Sequence, residues 1–122
     1  MLAQVMADAG NAHFWDDGIG AYFDTAADAV ALVTRPRDFT DNALPAGNSL
    51  AVELLQRLAA LSGDAEGARR AGFVLSSLSG AMAQHPLAFG HLLGAAEFEA
   101  HGAMSVAIAG HADSREFVQL AR

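Results

Sequence analysis

From Gly47 to Ala100 the chain carries three apolar runs at helical spacing, parted by only two punctuation marks, Gly63-Asp64 and Pro86. Apolar residues three and four apart share a face only if the backbone is helical. This half of the chain therefore has to fold as packed helices. The first, 47–62, has Leu50, Leu54, Leu58 and Leu61 in one stripe, widened by Ala51 and Leu55. Asn48 or Ser49 suits its N-cap, and Gly63 can end it in the left-handed conformation. Asp64 then caps a second helix, 65–84, whose apolar face is Leu75, Leu78 and Met82, with Ala71 and Val74 beside them. Pro86 suits the first turn of a third, 87–100. Gly90 and Gly94 in it fit close packing by a neighbour.

The flanks are different. Residues 1–9 read as a short helix with Leu2, Val5 and Met6 on one face, stopped by Gly10-Asn11. Asp16-Asp17-Gly18 is a turn signal. Tyr22–Thr25 and Val30–Thr34 read as two short strands, so a β-hairpin is expected near residues 20–34, with a helical turn at Ala26–Ala29 as the alternative. At the far end Met104–Ala109 alternates like a strand. Gly110 makes a turn, and Asp113 or Ser114 caps a last helix carrying Phe117, Val118 and Leu120. A strand, a turn and a helix are half of a βαβ unit, so the chain reads as a piece of a larger protein.

Composition narrows the function. The 122 residues suit a single domain, and 52% of them are apolar, enough to bury a core. Fourteen acidic against seven basic residues leave a formal charge of −7, scattered along the chain. A nucleic-acid binder needs a basic stripe instead. There is no cysteine, so no disulfide or thiolate chemistry. The five histidines (13, 85, 91, 101 and 111) lack zinc-site spacing, and no metal or cofactor is expected. No apolar run approaches the roughly 18 residues of a membrane span. No signal peptide is evident, and a cytoplasmic location follows by default.

The segment with most chemical character is 35–49, Arg-Pro-Arg-Asp-Phe-Thr-Asp-Asn-Ala-Leu-Pro-Ala-Gly-Asn-Ser, directly ahead of the first long helix. Fixed charge in a loop ahead of a helix N-terminus suits a ligand-binding edge. Asp38 and Asp41 are the candidate general acid and base on a sugar. The alternative is that they cap turns or pair with Arg35 and Arg37. Arg35 and Arg37 can hold a hydroxyl or carboxylate through their forked donors, or simply fix the loop. Asn48 and Ser49 can bind a ligand at the helix start or cap it. Phe14, Trp15, Tyr22 and Phe23 can stack a sugar, but such clusters more often bury themselves, and core packing is the expectation. His91 and His101 do not share a helix face, and His85 sits at a helix end. None of them reads as a general base.

Phe14-Trp15-Asp16, Tyr22-Phe23-Asp24-Thr25, Arg35-Pro36-Arg37-Asp38, Asp41-x-Ala43-x-Pro45-x-Gly47-Asn48-Ser49, Ser62-Gly63-Asp64, Pro86-Leu87-Ala88-Phe89 and Val106-x-Ile108-x-Gly110 occur in this order. The series resembles the C-terminal region of the thioredoxin-domain-containing proteins of the spermatogenesis-associated type. The resemblance implies a mainly α fold. Residues 1–101 would be a partial α/α toroid of the six-hairpin glycosidase kind, and 102–122 a truncated α/β tail. It implies a longer parent with a thioredoxin-like domain, a sugar-like small molecule as ligand, and self-association of the isolated piece through faces the ring would cover. Two positions depart from the pattern. Ala46 stands where a Ser precedes Gly-Asn-Ser, and Ala21 follows Gly20 where a second glycine is usual. If that Ser touches a ligand, this chain lacks the contact.

Two functions follow as expectations. One is epimerase-like or glycosidase-like chemistry in the intact ring, with this chain inactive alone. The other is a non-catalytic scaffold for the thioredoxin-like domain, which the lack of an obvious His or Glu pair on the helices favours.

Overall fold

The computed structural model describes residues 2–30 and 33–105. They form a mainly helical structure with one small hairpin: α1 (Leu2–Phe14), β1 (Trp15–Asp16), β2 (Ala21–Tyr22), α2 (Gly47–Ser62), α3 (Ala65–Gln84), a 3-10 turn (Pro86–Ala88) and α4 (Gly90–His101). Among the described residues no helix is long and apolar enough to cross a membrane.

Helix α2 is the centre. It packs against α3, α4, α1 and β2. Gly63, at φ 75°, ends α2 in the left-handed conformation, and its N–H donates to the Ala59 carbonyl. Asp64 starts α3 by accepting from the N–H groups of Glu66 and Gly67. A two-residue link of this kind folds the two helices into a hairpin. The core joins Val52 and Leu55 of α2, Ala71, Val74, Leu75 and Met82 of α3, and Phe89, Leu92 and Ala95 around α4, with Tyr22 closing one end.

The buried face of α2 is not the leucine stripe. Leu58 is buried, but Leu50, Leu54 and Leu61 are exposed. The helix turns Asn48, Ser49, Val52, Leu55 and Gln56 inward instead. Polar residues can occupy a core face when distant segments supply their hydrogen bonds, as Tyr22 and Asp38 do for Asn48 and as Ala95 and Glu99 do for the Gln56 amide nitrogen.

Helix α1 runs through Gly10-Asn11 to Phe14 rather than stopping at residue 9. Its last carbonyls find tertiary donors: Phe23 N–H on the Phe14 carbonyl at 2.9 Å and Ala27 N–H on that of His13 at 2.8 Å. Tyr22 Oη donates to Asn11 Oδ1. With these C-terminal carbonyls satisfied, the helix absorbs the roughly 1 kcal/mol cost of an internal glycine.

The hairpin lies earlier than expected. It pairs Trp15 with Tyr22 and Asp16 with Ala21, antiparallel, around the Asp16-Asp17-Gly18 turn. The described residues after it, up to Ala46, are irregular, and Val30 and Val33 are almost fully exposed; Ala31 and Leu32 of the expected second strand lie outside the described residues. Gly20 makes the turn possible. Its φ is 72°, and a side chain there would start 2.1 Å from the Phe73 ring. The third long helix begins at Gly90, after the 3-10 turn at Pro86, not at 87. Met104 and Ser105 are irregular and exposed. The rest of the expected strand and the last helix lie outside the described residues.

Candidate functional site

The 35–49 segment is tied to its surroundings through Arg35, Arg37, Asp41 and Asn48. Arg35 Nη2 donates to the Thr25 carbonyl at 2.6 Å and the His13 carbonyl at 3.1 Å. Arg37 pairs with Asp16, not with Asp38 or Asp41. The Phe23 ring has the Arg35 guanidinium 3.8 Å from its centroid and that of Arg37 3.9 Å from it. Two planar cations that close cannot share one face, so the ring is sandwiched between them, a favourable stacking arrangement. Trp15 meets Tyr22 edge-on at 5.0 Å, and Arg70 lies over Trp15. Burial pushes the Tyr22 phenol up to about 12, against the pull of Arg70. The aromatic cluster is thus a packed arginine–aromatic stack.

The two aspartates have separate tasks. Asp38 is exposed and accepts the N–H and hydroxyl of Thr40, both at 2.9 Å. These bonds hold its carboxyl below the ordinary 3.8. Asp41 accepts from Ala46 N–H at 2.9 Å, His91 N–H at 2.8 Å and Leu92 N–H at 3.1 Å. His91 and Leu92 are the second and third residues of α4, whose own N-cap, Phe89, makes no side-chain bond. Asp41 therefore caps α4 from another part of the chain. Partial burial pushes the Asp41 carboxyl up, but its donors outweigh that and hold it below 3.8. The buried Ser49 hydroxyl lies beside it and favours its charged form, without a hydrogen bond of good geometry among the described residues.

Asn48 does not cap α2. The N-cap is Ala46, with no side-chain bond. Asn48 is fully buried; its Oδ1 accepts from Tyr22 N–H at 2.8 Å, and its Nδ2 donates to the carbonyls of Tyr22 at 2.9 Å and Asp38 at 3.1 Å. It extends the hairpin edge in place of a third strand. Arg35, Arg37, Asp38, Asp41, Asn48 and Ser49 are thus brought together around one loop, and none of them lines either of the two grooves described next.

The first groove, about 410 Å³, runs between α1 and α2 and is apolar, with Met6, Gly10, Phe14, Ala51 and Leu54 in its walls. The second, about 290 Å³, lies between α2 and α4 and mixes the polar side chains of Glu53, Gln56, Arg57 and His91 with apolar surface from Ala95 and Phe98. Here Glu53 Oε2 meets His91 Nε2 at 2.7 Å, and Glu53 Oε1 accepts from Arg57 Nε at 2.8 Å. Arg57 foremost, with His91, holds the Glu53 carboxyl below 4.5. Glu53 and His91 are each about a third exposed, so the pair is open to a ligand. Gln56, buried, donates to the Ala95 carbonyl at 3.0 Å and to Glu99 Oε2 at 2.8 Å. Gly90 and Gly94 do not receive a close neighbour. Nothing lies within 4 Å of where their side chains would begin, and they border the groove instead.

A carboxylate that grips one ring nitrogen orients the imidazole and fixes which nitrogen carries the proton, leaving the other free for proton exchange. Glu53–His91 is thus a His–Glu pair across two helices, one that the sequence does not make obvious. Glu53 and Arg57 were readable as an (i, i+4) pair, but their meeting with His91 depends on how α2 and α4 pack. Among the described residues no three His, Asp or Glu side chains gather as a metal site. Comparison with models of protein families, with curated proteins and with solved structures finds no match to the chain.

Proposed function

We propose that the chain forms one wall of a larger α/α helical domain, of the partial toroid kind that the resemblance implies, and that the groove between α2 and α4 is its contribution to a site for a sugar-like molecule. The observation that carries this is the Glu53–His91 pair at 2.7 Å, steadied by Arg57 and bordered by the bare backbone of Gly94. The groove offers a donor in Arg57 and acceptors in Glu53 and the second ring nitrogen of His91, with the charges of Glu53 and Arg57 cancelling. That balance suits a neutral, hydroxylated ligand better than an ion. His91 would exchange the proton and Glu53 would hold its ring. A cytoplasmic location and a thioredoxin-like partner domain belong to the same proposal.

One wall is not a whole site, since catalysis depends on reactive groups closing on the substrate from several sides. Purified chain should therefore bind a neutral sugar weakly and turn none over. Titration with glucose, followed by the backbone amide resonances of His91 and Gly94, should give saturable shifts. Absence of saturation would remove the proposal. Turnover would show that the wall suffices alone. The scaffold reading is favoured by a separate observation, the exposed apolar side chains flanking the first groove.

A further inference from the structure

We infer that the apolar groove between α1 and α2 is a docking site for a basic amphipathic helix of a partner protein. Three observations lead there. The groove does not end at its walls. Leu2, Val5 and Met6 form an exposed ridge along α1, and Leu50 and Leu54 form another along α2. Two apolar ridges with a trough between them match the surface of a third helix, whose side chains interdigitate with both. Small residues also line the trough. Gly10 and Gly47 carry no side chain there, Ala51 only a methyl, and Tyr22 and Leu55 close the floor.

The third observation is charge. Asp24 lines the same groove beside Gly47. Among the described residues its carboxylate has neither a hydrogen bond nor an ion pair. The acidic side chain on α1, Asp8, accepts a hydrogen bond from Gln4. An apolar trough with a lone carboxylate on its rim, on a chain of formal charge −7, attracts a helix whose flanks carry lysine or arginine. A second copy of this chain would bring the same sign of charge to the contact, which disfavours it as the occupant. This inference uses a different face from the sugar groove and does not rest on it.

The test is calorimetric titration of the 122-residue chain with a synthetic Leu/Lys amphipathic helix and with its Leu/Glu counterpart. The Leu/Lys helix should bind, and the Leu/Glu helix should be weaker by at least about tenfold. Met6→Glu with Leu54→Glu should abolish binding without lowering the melting temperature, since both side chains are already exposed. Asp24→Asn should weaken the Leu/Lys helix several-fold, whereas Glu97→Gln on α4 should not. Equal affinity for both peptides, or equal effects of the Asp24 and Glu97 substitutions, would overturn the proposal. So would a chain that self-associates until Met6→Glu and Leu54→Glu dissolve it, which would make a second copy the occupant.

Discussion

The carboxylate of Asp41 accepts the backbone N–H of Leu92, fifty-one residues further along the chain, at 3.1 Å. With the bond from His91 N–H, it closes the open end of α4. Asp41→Ala leaves these donors without a partner and should cost about 1–3 kcal/mol in chemical denaturation. The pH dependence has a defined sign. A carboxyl whose folded pKa lies below its ordinary 3.8 adds stability that is fully present above that value. The stability is lost as pH falls from there through the folded pKa. The gap between the native chain and Asp41→Asn should thus be constant near neutrality and shrink in acid. A gap that widens in acid would refute the cap.

Gly20 and Phe73 cannot both keep their places if residue 20 gains a side chain, because the new carbon would lie 2.1 Å from the ring. Gly20→Ala adds left-handed strain to overpacking, together about 2–4 kcal/mol. Gly80→Ala is the contrast. It lies within α3 with nothing within 4 Å, so it should stabilise by about 0.5–1 kcal/mol. Thermal melts of the two variants should move in opposite directions.

Arg35 holds Phe23 by stacking and α1 by its bond to the His13 carbonyl. Arg35→Ala should lower stability by about 1–3 kcal/mol through the freed carbonyls and the lost stack. Arg35→Lys should recover less than half of that, since an ammonium has neither the plane nor the fork. Full rescue by lysine would mean that charge alone matters.

The bounds of α2 and α3 are legible because their signals are local: Gly63 and Asp64 act within four residues of themselves. The hairpin lies earlier than the sequence suggests because strands of two residues carry no alternation to read, although the turn at Asp16-Asp17-Gly18 is visible. The buried face of α2 was hidden for another reason. Its leucines advertise one stripe, while Asn48 and Gln56 are drawn inward by partners at Tyr22 and Ala95. The candidate site follows the same rule. Polar character at 35–49 was plain, but whether those groups point to a ligand or to the fold depends on Asp16, Phe23 and His91 arriving beside them.

The central claim is that the site lies between α2 and α4 and that the 35–49 loop holds the fold. The most direct measurement is the glucose titration repeated on Gly94→Leu and Arg35→Lys. Gly94→Leu adds a side chain where nothing lies within 4 Å of its first carbon, so it should fold and fill the groove. The account predicts that Gly94→Leu abolishes the saturable shifts at His91, while Arg35→Lys lowers the melting temperature and leaves them unchanged. Binding that survives Gly94→Leu and disappears in Arg35→Lys would put the ligand back on the loop and contradict the account.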